Sequence, residues 1–108
     1  MSRRTEQVGE LMTREINNIL MRDFEAPLGC LITISKTEPT ANLKRANVFV
    51  SVLPEKMSGT ALSALRKSAG HIQHQLNRKL QMRFVPRIDW VYDETNLKLA
   101  RIDEALKN

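Results

Sequence analysis

Four side chains that can carry positive charge recur along one predicted helix at steps of four, three and four residues. They are Lys67, His71, His74 and Arg78. At 3.6 residues per turn, this spacing places all four on one face of a helix. Ammonium and guanidinium groups bind phosphate oxygens, so such a line can follow the backbone of a nucleic acid. The competing interpretation is that these residues only solvate an outer helix face.

The charge of the surrounding segment favours the first interpretation. From Lys56 to Ile88 the chain has no Asp or Glu, but it has both histidines and seven Lys or Arg residues. The other 75 residues have a net charge of −2, so the net charge of +5 comes from one third of the chain. This asymmetry is typical of a surface that binds a polyanion. The same segment supplies Arg66, Lys79, Arg83 and Arg87.

The opposite face of this helical region is apolar. Its stripe consists of Leu62, Leu65, Ala69, Ile72, Leu76 and Leu80. Gly70 lies in the middle of this helical region, where glycine lowers helix stability by up to ~1 kcal/mol relative to alanine. The tripeptide Ser68-Ala69-Gly70 therefore predicts a kink between two helices. Because glycine has no side chain, a phosphate backbone can approach closely there.

Other elements must position this kinked pair. Apolar spacing predicts a first helix over residues 5–22, strands at 31–37 and 46–53, and a third strand at 87–92. Ser58 is predicted to cap the second helix. A short last helix would present Leu99, Ile102 and Leu106. This order predicts an α+β fold, a two-layer sandwich with a small three-stranded sheet, and the helical crossover permits a parallel third strand.

Length and composition indicate one domain, residues 1–108. The single cysteine, Cys30, cannot form an internal disulfide, and its apolar neighbours predict a buried thiol. The N-terminus lacks the apolar core of a signal peptide, and no apolar run approaches the ~20 residues of a membrane span. We therefore expect a cytoplasmic protein without membrane association. Nothing in the sequence demands a dimer, so we expect a monomer.

The aromatic residues are few, and we expect them in the core. Aromatic residues make up 5% of the chain, so the core is predicted to be aliphatic. Trp90 and Tyr92 are predicted to pack under the helices, and stacking on RNA bases is the alternative. Met82 and Phe84 are also predicted to pack. Arg3 and Arg4 are interpreted as a frayed end that meets a partner or solvent.

Catalysis and metal binding have weak support. His71 and His74 lie one turn apart, but a metal site needs three or four convergent ligands, so no metal is predicted. Asp89, Asp93 and Glu94 would suit metal-dependent phosphoryl chemistry, yet helix capping and solvation explain them. No nucleophile arrangement or glycine-rich phosphate loop is present. The sequence predicts no catalytic residue and no cofactor.

Several ordered blocks resemble a known family. They are Arg45–Leu53, Ala64–Ile72 and Leu80–Ile88, with the opening Arg3-Arg4-Thr5 and the strand Leu31–Ile34. Together they resemble ribosome-binding factor A of bacteria over essentially the whole chain. The resemblance implies a KH-like fold of type II order, helix-strand-strand-helix-kink-helix-strand, in which Ser68-Ala69-Gly70 replaces the usual glycine-rich phosphate loop.

The resemblance also implies a function. Members of the family bind the small ribosomal subunit and its rRNA during late assembly. They promote processing of the small-subunit rRNA, including its 5′ end, and are linked to growth in the cold. The family is not enzymatic and needs no cofactor, and an assembly GTPase is a further expected partner. Gln73 departs from the arginine expected at its position, so one phosphate contact is missing.

The combined interpretation assigns RNA binding to one set of residues. They are Arg66, Lys67, Ser68, Ala69, Gly70, His71, His74, Arg78, Lys79 and Arg83. Three alternatives stay open. One is a general KH-like single-stranded RNA-binding module without a ribosomal role. Another is a small enzyme that uses His71 or Asp93 in phosphoester chemistry. The last is a protein-interaction domain whose positive charge meets an acidic partner.

Overall fold

A computed structural model describes residues 2–95 of the chain. Its elements are helix α1 Arg3–Asp23, strand β1 Leu31–Pro39, strand β2 Arg45–Leu53, helix α2 Ser58–Lys67, helix α3 Ala69–Lys79 and strand β3 Arg87–Tyr92. A short 3-10 helix, Glu55–Met57, precedes α2. The predicted last helix, with Leu99, Ile102 and Leu106, lies outside the described residues.

The three strands form one mixed sheet in the order β1-β2-β3. β1 and β2 are antiparallel neighbours, and the register shifts between Ile34 and Lys36, where Ser35 bulges. β3 is parallel to β2, so that Val48 lies opposite Trp90. A parallel pair needs a crossover connection, which α2 and α3 supply. The predicted α+β sandwich, its KH-like element order and the parallel third strand are confirmed.

The core lies between the sheet and the helices, and it is aliphatic as predicted. Alternate residues of β1 and β2 are buried, because successive side chains of a strand point to opposite faces. The fully buried larger side chains are Met12, Ile16, Ile19, Val48, Val50, Leu65, Ile72, Leu76 and Pro86. Each buried aliphatic side chain of this size contributes about 1.5–3 kcal/mol. This packing holds α3 on the sheet and so fixes the direction of its outer face.

Helix α1 packs very closely on β1. A Cβ atom built on Gly9 would lie 2.5 Å from the carbonyl oxygen of Thr37, so only glycine fits there. The side-chain amide of Asn17 donates to the Ile34 carbonyl over 3.1 Å and accepts from the Ile34 N–H over 2.8 Å. It thereby pairs backbone groups of the edge strand that would otherwise lack partners. These contacts give the sheet a rigid base.

The predicted kink between α2 and α3 is confirmed, and it lies at Ser68. Lys67 ends α2 and Ala69 begins α3, so no loop separates them. Ser68 has φ −96° and ψ 5°, outside the helical range. Its N–H donates to the Ala64 carbonyl over 3.2 Å, so the ends stay hydrogen-bonded through the bend. Gly70 lies inside the first turn of α3.

Three local predictions were wrong. Ser58 does not cap α2, because the 3-10 helix continues directly into α2 and Met57 occupies the cap position. The Cys30 side chain is half-buried rather than buried, since it precedes β1 at the edge of the core. Arg3 and Arg4 do not form a frayed end. Both lie in the first turn of α1, whose start is capped by Ser2 Oγ at 3.2 Å from the Thr5 nitrogen.

Candidate nucleic-acid interface

The outer surface of α2 and α3 is a line of basic and imidazole groups. We call it the basic face, and it consists of Arg66, Lys67, His71, His74, Arg78 and Lys79, all of them exposed. Leu65, Ile72 and Leu76 of the same helices are buried on the opposite side, with at most 1% exposure. The predicted orientation of the two helices is therefore confirmed. Contact of the basic face with RNA stays a prediction.

A groove of about 550 Å³ lies beside the bend, between α3 and β3. We call it the kink groove. One wall is α3 from Ala69 to Asn77, and the other is the segment from Val85 to Trp90. Gly70 and His74 belong to the first wall, so the groove adjoins the basic face. Ser68 and Ala69 are half-buried at the bend, whereas Gly70 is exposed.

Gly70 leaves open space at the mouth of the kink groove. A Cβ atom built on it would meet nothing within 4 Å, and its φ lies outside the left-handed range. Neither packing nor backbone conformation therefore requires glycine at this position. A helix glycine costs about 0.5–1 kcal/mol relative to alanine, and the fold shows no compensating internal contact. Close approach of a ligand backbone is the physical use that fits such a position.

Gln73 fixes the two walls of the kink groove to each other. Its Oε1 accepts a hydrogen bond from the Ile88 N–H at 2.9 Å. Its Nε2 donates to the Pro86 carbonyl at 3.2 Å and to Asn77 Oδ1 at 3.0 Å. From the sequence, Gln73 was predicted only to lack a phosphate contact. No sequence signal indicated this bridge, because Pro86 and Ile88 are brought to Gln73 only by the fold.

Trp90 and Tyr92 are half-buried and pack against the core, which confirms the core interpretation. The indole nitrogen of Trp90 is buried and has no hydrogen-bond partner within residues 2–95. Burial raises the pKa of the Tyr92 hydroxyl, with smaller contributions from Glu55, Glu94 and Asp93. Stacking of these two rings on RNA bases is thereby disfavoured.

Arg78 and Lys79 meet charges from another element. They line a shallow cleft of about 350 Å³ with Arg22 and Asp23 from the end of α1 and with Gln75. Arg22 adds a cation that the sequence interpretation missed, and Asp23 adds an acid. The segment from Lys56 to Ile88 has no acidic residue, but the surface that it forms does include one. The reason is that α1 packs beside this segment and contributes Asp23. On the same face, Gln75 Nε2 lies 3.0 Å from His71 Nε2.

Arg83 and Phe84 lie apart from the basic face, in the segment that follows α3. Phe84 was predicted to pack, and this prediction was wrong, because the residue is 76% exposed. Its neighbours Met82 and Val85 pack against the core, which directs Phe84 outward. The Arg83 guanidinium lies 5.4 Å from the centroid of the Phe84 ring. Arg83 therefore lines the cleft beside Phe84 and not the kink groove.

Two of the three acidic residues considered for catalysis, Asp89 and Asp93, have structural partners. Arg45 Nε donates to Asp89 Oδ2 over 2.8 Å, and this bond lowers the pKa of the Asp89 carboxyl. Ser35 Oγ donates to Asp93 Oδ2 over 2.6 Å. Thr95 N–H donates to the other oxygen of Asp93 over 3.0 Å, and the two bonds lower the Asp93 pKa. Both carboxylates are therefore explained by structural contacts, Asp89 between two strands and Asp93 in a turn.

Residues 2–95 lack two further features, a metal-binding cluster and a membrane-spanning helix. Residues 2–95 contain no group of three or more His, Cys, Asp or Glu side chains that could hold a metal ion. Over the same range, no helix combines the length and hydrophobicity that crossing a bilayer requires.

The sequence matches one protein family over nearly its full length. The family model described as ribosome-binding factor A matches residues 4–106. The chain belongs to this family. Ribosome-binding factor A of Nitrosococcus oceani is 32% identical over 93 residues, which are 85% of this chain and 73% of that protein. That of Akkermansia muciniphila is 37% identical over 95 residues, 88% of this chain and 75% of that protein.

Solved structures of the ribosome-binding factor A family share the fold. The crystal structure of the Thermus thermophilus protein matches with a TM-score of 0.71 at 19% identity, covering 82% of this chain and 93% of that one. A Thermus thermophilus homology model fitted into a cryo-EM map of a 30S complex gives a TM-score of 0.61 at 18% identity, covering 79% and 90%. The predicted KH-like fold is confirmed.

Proposed function

We propose that this chain is a non-enzymatic assembly factor that binds the small ribosomal subunit and its rRNA during late maturation. The basic face would neutralise rRNA phosphates, and the kink groove would accept the RNA backbone. By binding one rRNA conformation better than another, the protein would shift the population toward the form that is processed. No covalent step by a protein side chain is needed for this mechanism.

The single observation that carries the proposal is the open space at Gly70, in the kink groove beside the basic face. The basic residues alone could serve solvation. A helix glycine that the fold does not need, placed beside a groove and among cations, points to a ligand whose backbone comes close. A relative with the same fold was fitted into a 30S complex, which supports the small subunit as the target.

The structure also bears on the enzyme alternative. Asp93 is held by Ser35 and Thr95, and His71 lies beside Gln75 on an open surface. General acid–base catalysis needs a group within hydrogen-bond reach of a substrate that is positioned in a pocket. Neither residue lines the kink groove or the cleft beside Asp23, and this supports a binding role.

The proposal is tested by co-sedimentation of the purified protein with small subunits, large subunits and whole ribosomes over a salt series. We expect selective binding to small subunits. If about five phosphates are neutralised, log affinity should fall with log salt at a slope of roughly −3.5 to −4.5. A slope near zero would contradict a phosphate-driven interface. Equal binding to both subunits and to naked RNA would instead favour a general RNA-binding module.

A further inference from the structure

A cleft of about 720 Å³ lies at the far end of α3, where Phe84 forms one of its sides. We call it the Phe84 cleft. Three parts of the chain form it: the first turn of α1, the β1–β2 turn, and the segment after α3. Its volume is within the range of about 300–1,000 Å³ that is usual for small-ligand sites. Of its lining residues, only Arg83 belongs to the predicted RNA-binding set.

Phe84 is an unusual residue to find exposed in this protein. The chain has five aromatic residues, and the other four are half-buried. Phe84 is held outward by its neighbours, since Leu80 and Pro86 are buried anchors on either side. Burial of a phenylalanine ring stabilises a fold, and the folded chain forgoes this stabilisation here. Because it lies beside a cleft, the exposed ring offers a face on which a flat apolar group can stack.

The charge around the ring is uniformly positive. Arg4, Lys44 and Arg83 line the Phe84 cleft, and none of its lining residues is acidic. The Arg83 guanidinium lies 5.4 Å from the ring centroid, and the two groups together offer both a stacking surface and a cation. An anionic partner that carries a flat apolar group matches this combination. A nucleotide has these two properties.

The β1–β2 turn is built to hold one side of the cleft in place. The Asn42 side chain accepts a hydrogen bond from the Lys44 N–H at 3.0 Å. Leu43 adopts a φ of 58°, a left-handed conformation that is unfavourable for a residue other than glycine. This conformation lets the Leu43 side chain pack against the core while Asn42 and Lys44 stay exposed at the cleft. Lys44 therefore projects from a fixed turn.

The Phe84 cleft adjoins the kink groove at Val85. Val85 lines both of them, and Phe84 is its neighbour in the sequence. An RNA strand that leaves the groove at Val85 would therefore reach Phe84 next. We propose that Phe84 stacks on an unpaired base of single-stranded rRNA that extends from the kink groove. Lys44, Arg4 and Arg83 bind the phosphates on either side of that base. This inference rests on the proposed function, because it names the RNA segment that the same site would bind.

An acidic protein segment with an apolar side chain is the competing occupant. It would use the same cations, but it would not need a flat ring on the protein side. Base stacking on an aromatic ring contributes enough to weaken binding by roughly 5- to 150-fold when it is lost. The two occupants therefore differ in how they respond to the shape of residue 84 rather than to its hydrophobicity.

The test compares Phe84→Leu and Phe84→Trp in the full chain. The probes are a single-stranded RNA that contains 2-aminopurine, whose emission changes on stacking, and purified small subunits. We expect Phe84→Leu to lose the emission change and to bind the RNA roughly 5- to 150-fold more weakly. Phe84→Trp should retain both. Leu28→Ala, at a residue that is 98% exposed elsewhere, is the matched control and should behave like the wild type.

A second variant reports on the cations independently of the ring. Lys44→Gln should reduce the salt slope of RNA binding by about 0.7, the value for one phosphate of a single strand. Unchanged RNA binding in Phe84→Leu would overturn the proposal. So would a loss that is confined to subunit binding, because it would identify a protein occupant. If the wild-type protein stacks on the RNA but does not bind small subunits, the proposed function is refuted. The stacking site would still be supported by that result.

Discussion

Two helix glycines of this protein are explained by different physical causes. Gly9 is required by packing, because a Cβ atom there would lie 2.5 Å from the Thr37 carbonyl oxygen. Gly70 is required by nothing inside the fold, since a Cβ atom there meets no atom within 4 Å. Gly9 is therefore needed for the packing of the fold. On our proposal, Gly70 is needed for contact with RNA.

At the residue scale, we predict opposite effects of Gly70→Ala on stability and on binding. The free energy of unfolding should rise by up to about 1 kcal/mol, because alanine favours the helix. Affinity for small subunits should fall about tenfold, ~1.4 kcal/mol, because the new methyl group occupies the space of the RNA backbone. Urea denaturation and co-sedimentation measure the two quantities.

The control for this prediction is Gly59→Ala in α2. A Cβ atom on Gly59 also meets nothing within 4 Å. The substitution should therefore stabilise α2 in the same way and leave subunit affinity unchanged. Equal affinity of Gly70→Ala and wild type would show that the RNA backbone does not approach Gly70.

At the element scale, the sandwich depends on the close approach of α1 to β1. Two interactions fix this approach: the contact at Gly9 and the amide pairing of Asn17 with Ile34. The Gln73 bridge to Pro86 and Ile88 does the same for α3 and β3. In both cases a side-chain amide pairs with the backbone of an edge strand. The helices are thus held to the two edges of the sheet by equivalent hydrogen bonds.

We predict that Gly9→Ala destabilises the protein by about 1–3 kcal/mol, because α1 must move away from β1 to relieve the overlap. The midpoint of urea unfolding should fall accordingly, whereas Gly59→Ala should not lower it. If Gly9→Ala unfolded at the same urea concentration as the wild type, the contact between α1 and the Thr37 carbonyl would be looser than the structure shows.

At the scale of the whole molecule, two carboxylates connect distant parts of the chain. Asp89 binds Arg45 on the neighbouring strand, and Asp93 binds Ser35 in the bulge of β1. The hydrogen bonds from these partners lower the pKa of each carboxyl below its ordinary value. The folded state therefore binds fewer protons than the unfolded state at mildly acidic pH.

From these lowered pKa values we predict that stability is fully present at neutral pH and falls with acidification. The loss should begin near pH 5, as the unfolded carboxyls take up protons, and continue until the folded ones are protonated. Urea midpoints at a series of pH values measure it. The double variant Asp89→Asn and Asp93→Asn should show a flatter pH dependence. A dependence identical to wild type would mean that other groups govern acid unfolding.

Periodicity was sufficient to predict much of this structure. The spacing of apolar residues predicted the helices and strands within a few residues, and it separated Leu65 and Ile72 from Lys67 and His71. Such patterns record only which face of an element is buried. They do not record what another element brings alongside, as Asp23 does beside Arg78.

The failed predictions have the same physical origin. Phe84 was assigned to the core by its hydrophobicity, but burial of its neighbours directs it outward. The amide bridge of Gln73 and the close contact at Gly9 depend on tertiary distances that no spacing rule contains. The resemblance predicted the KH-like fold that the comparisons confirm. The assignment of the RNA-contacting residues stays a prediction.

On our proposal the basic face binds small-subunit rRNA. The most direct test is to exchange two of its cations for acids in the double variant Lys67→Glu and Arg78→Glu, and to measure how tightly this variant binds small subunits. The matched control is Arg14→Glu with Lys36→Glu, which makes the same charge change at the β1 edge, where both residues line a shallow cleft. We predict that the first variant binds about 100-fold more weakly, ~2.7 kcal/mol, while the control changes little. Equal loss in both variants, or undiminished binding of the first, would contradict the account.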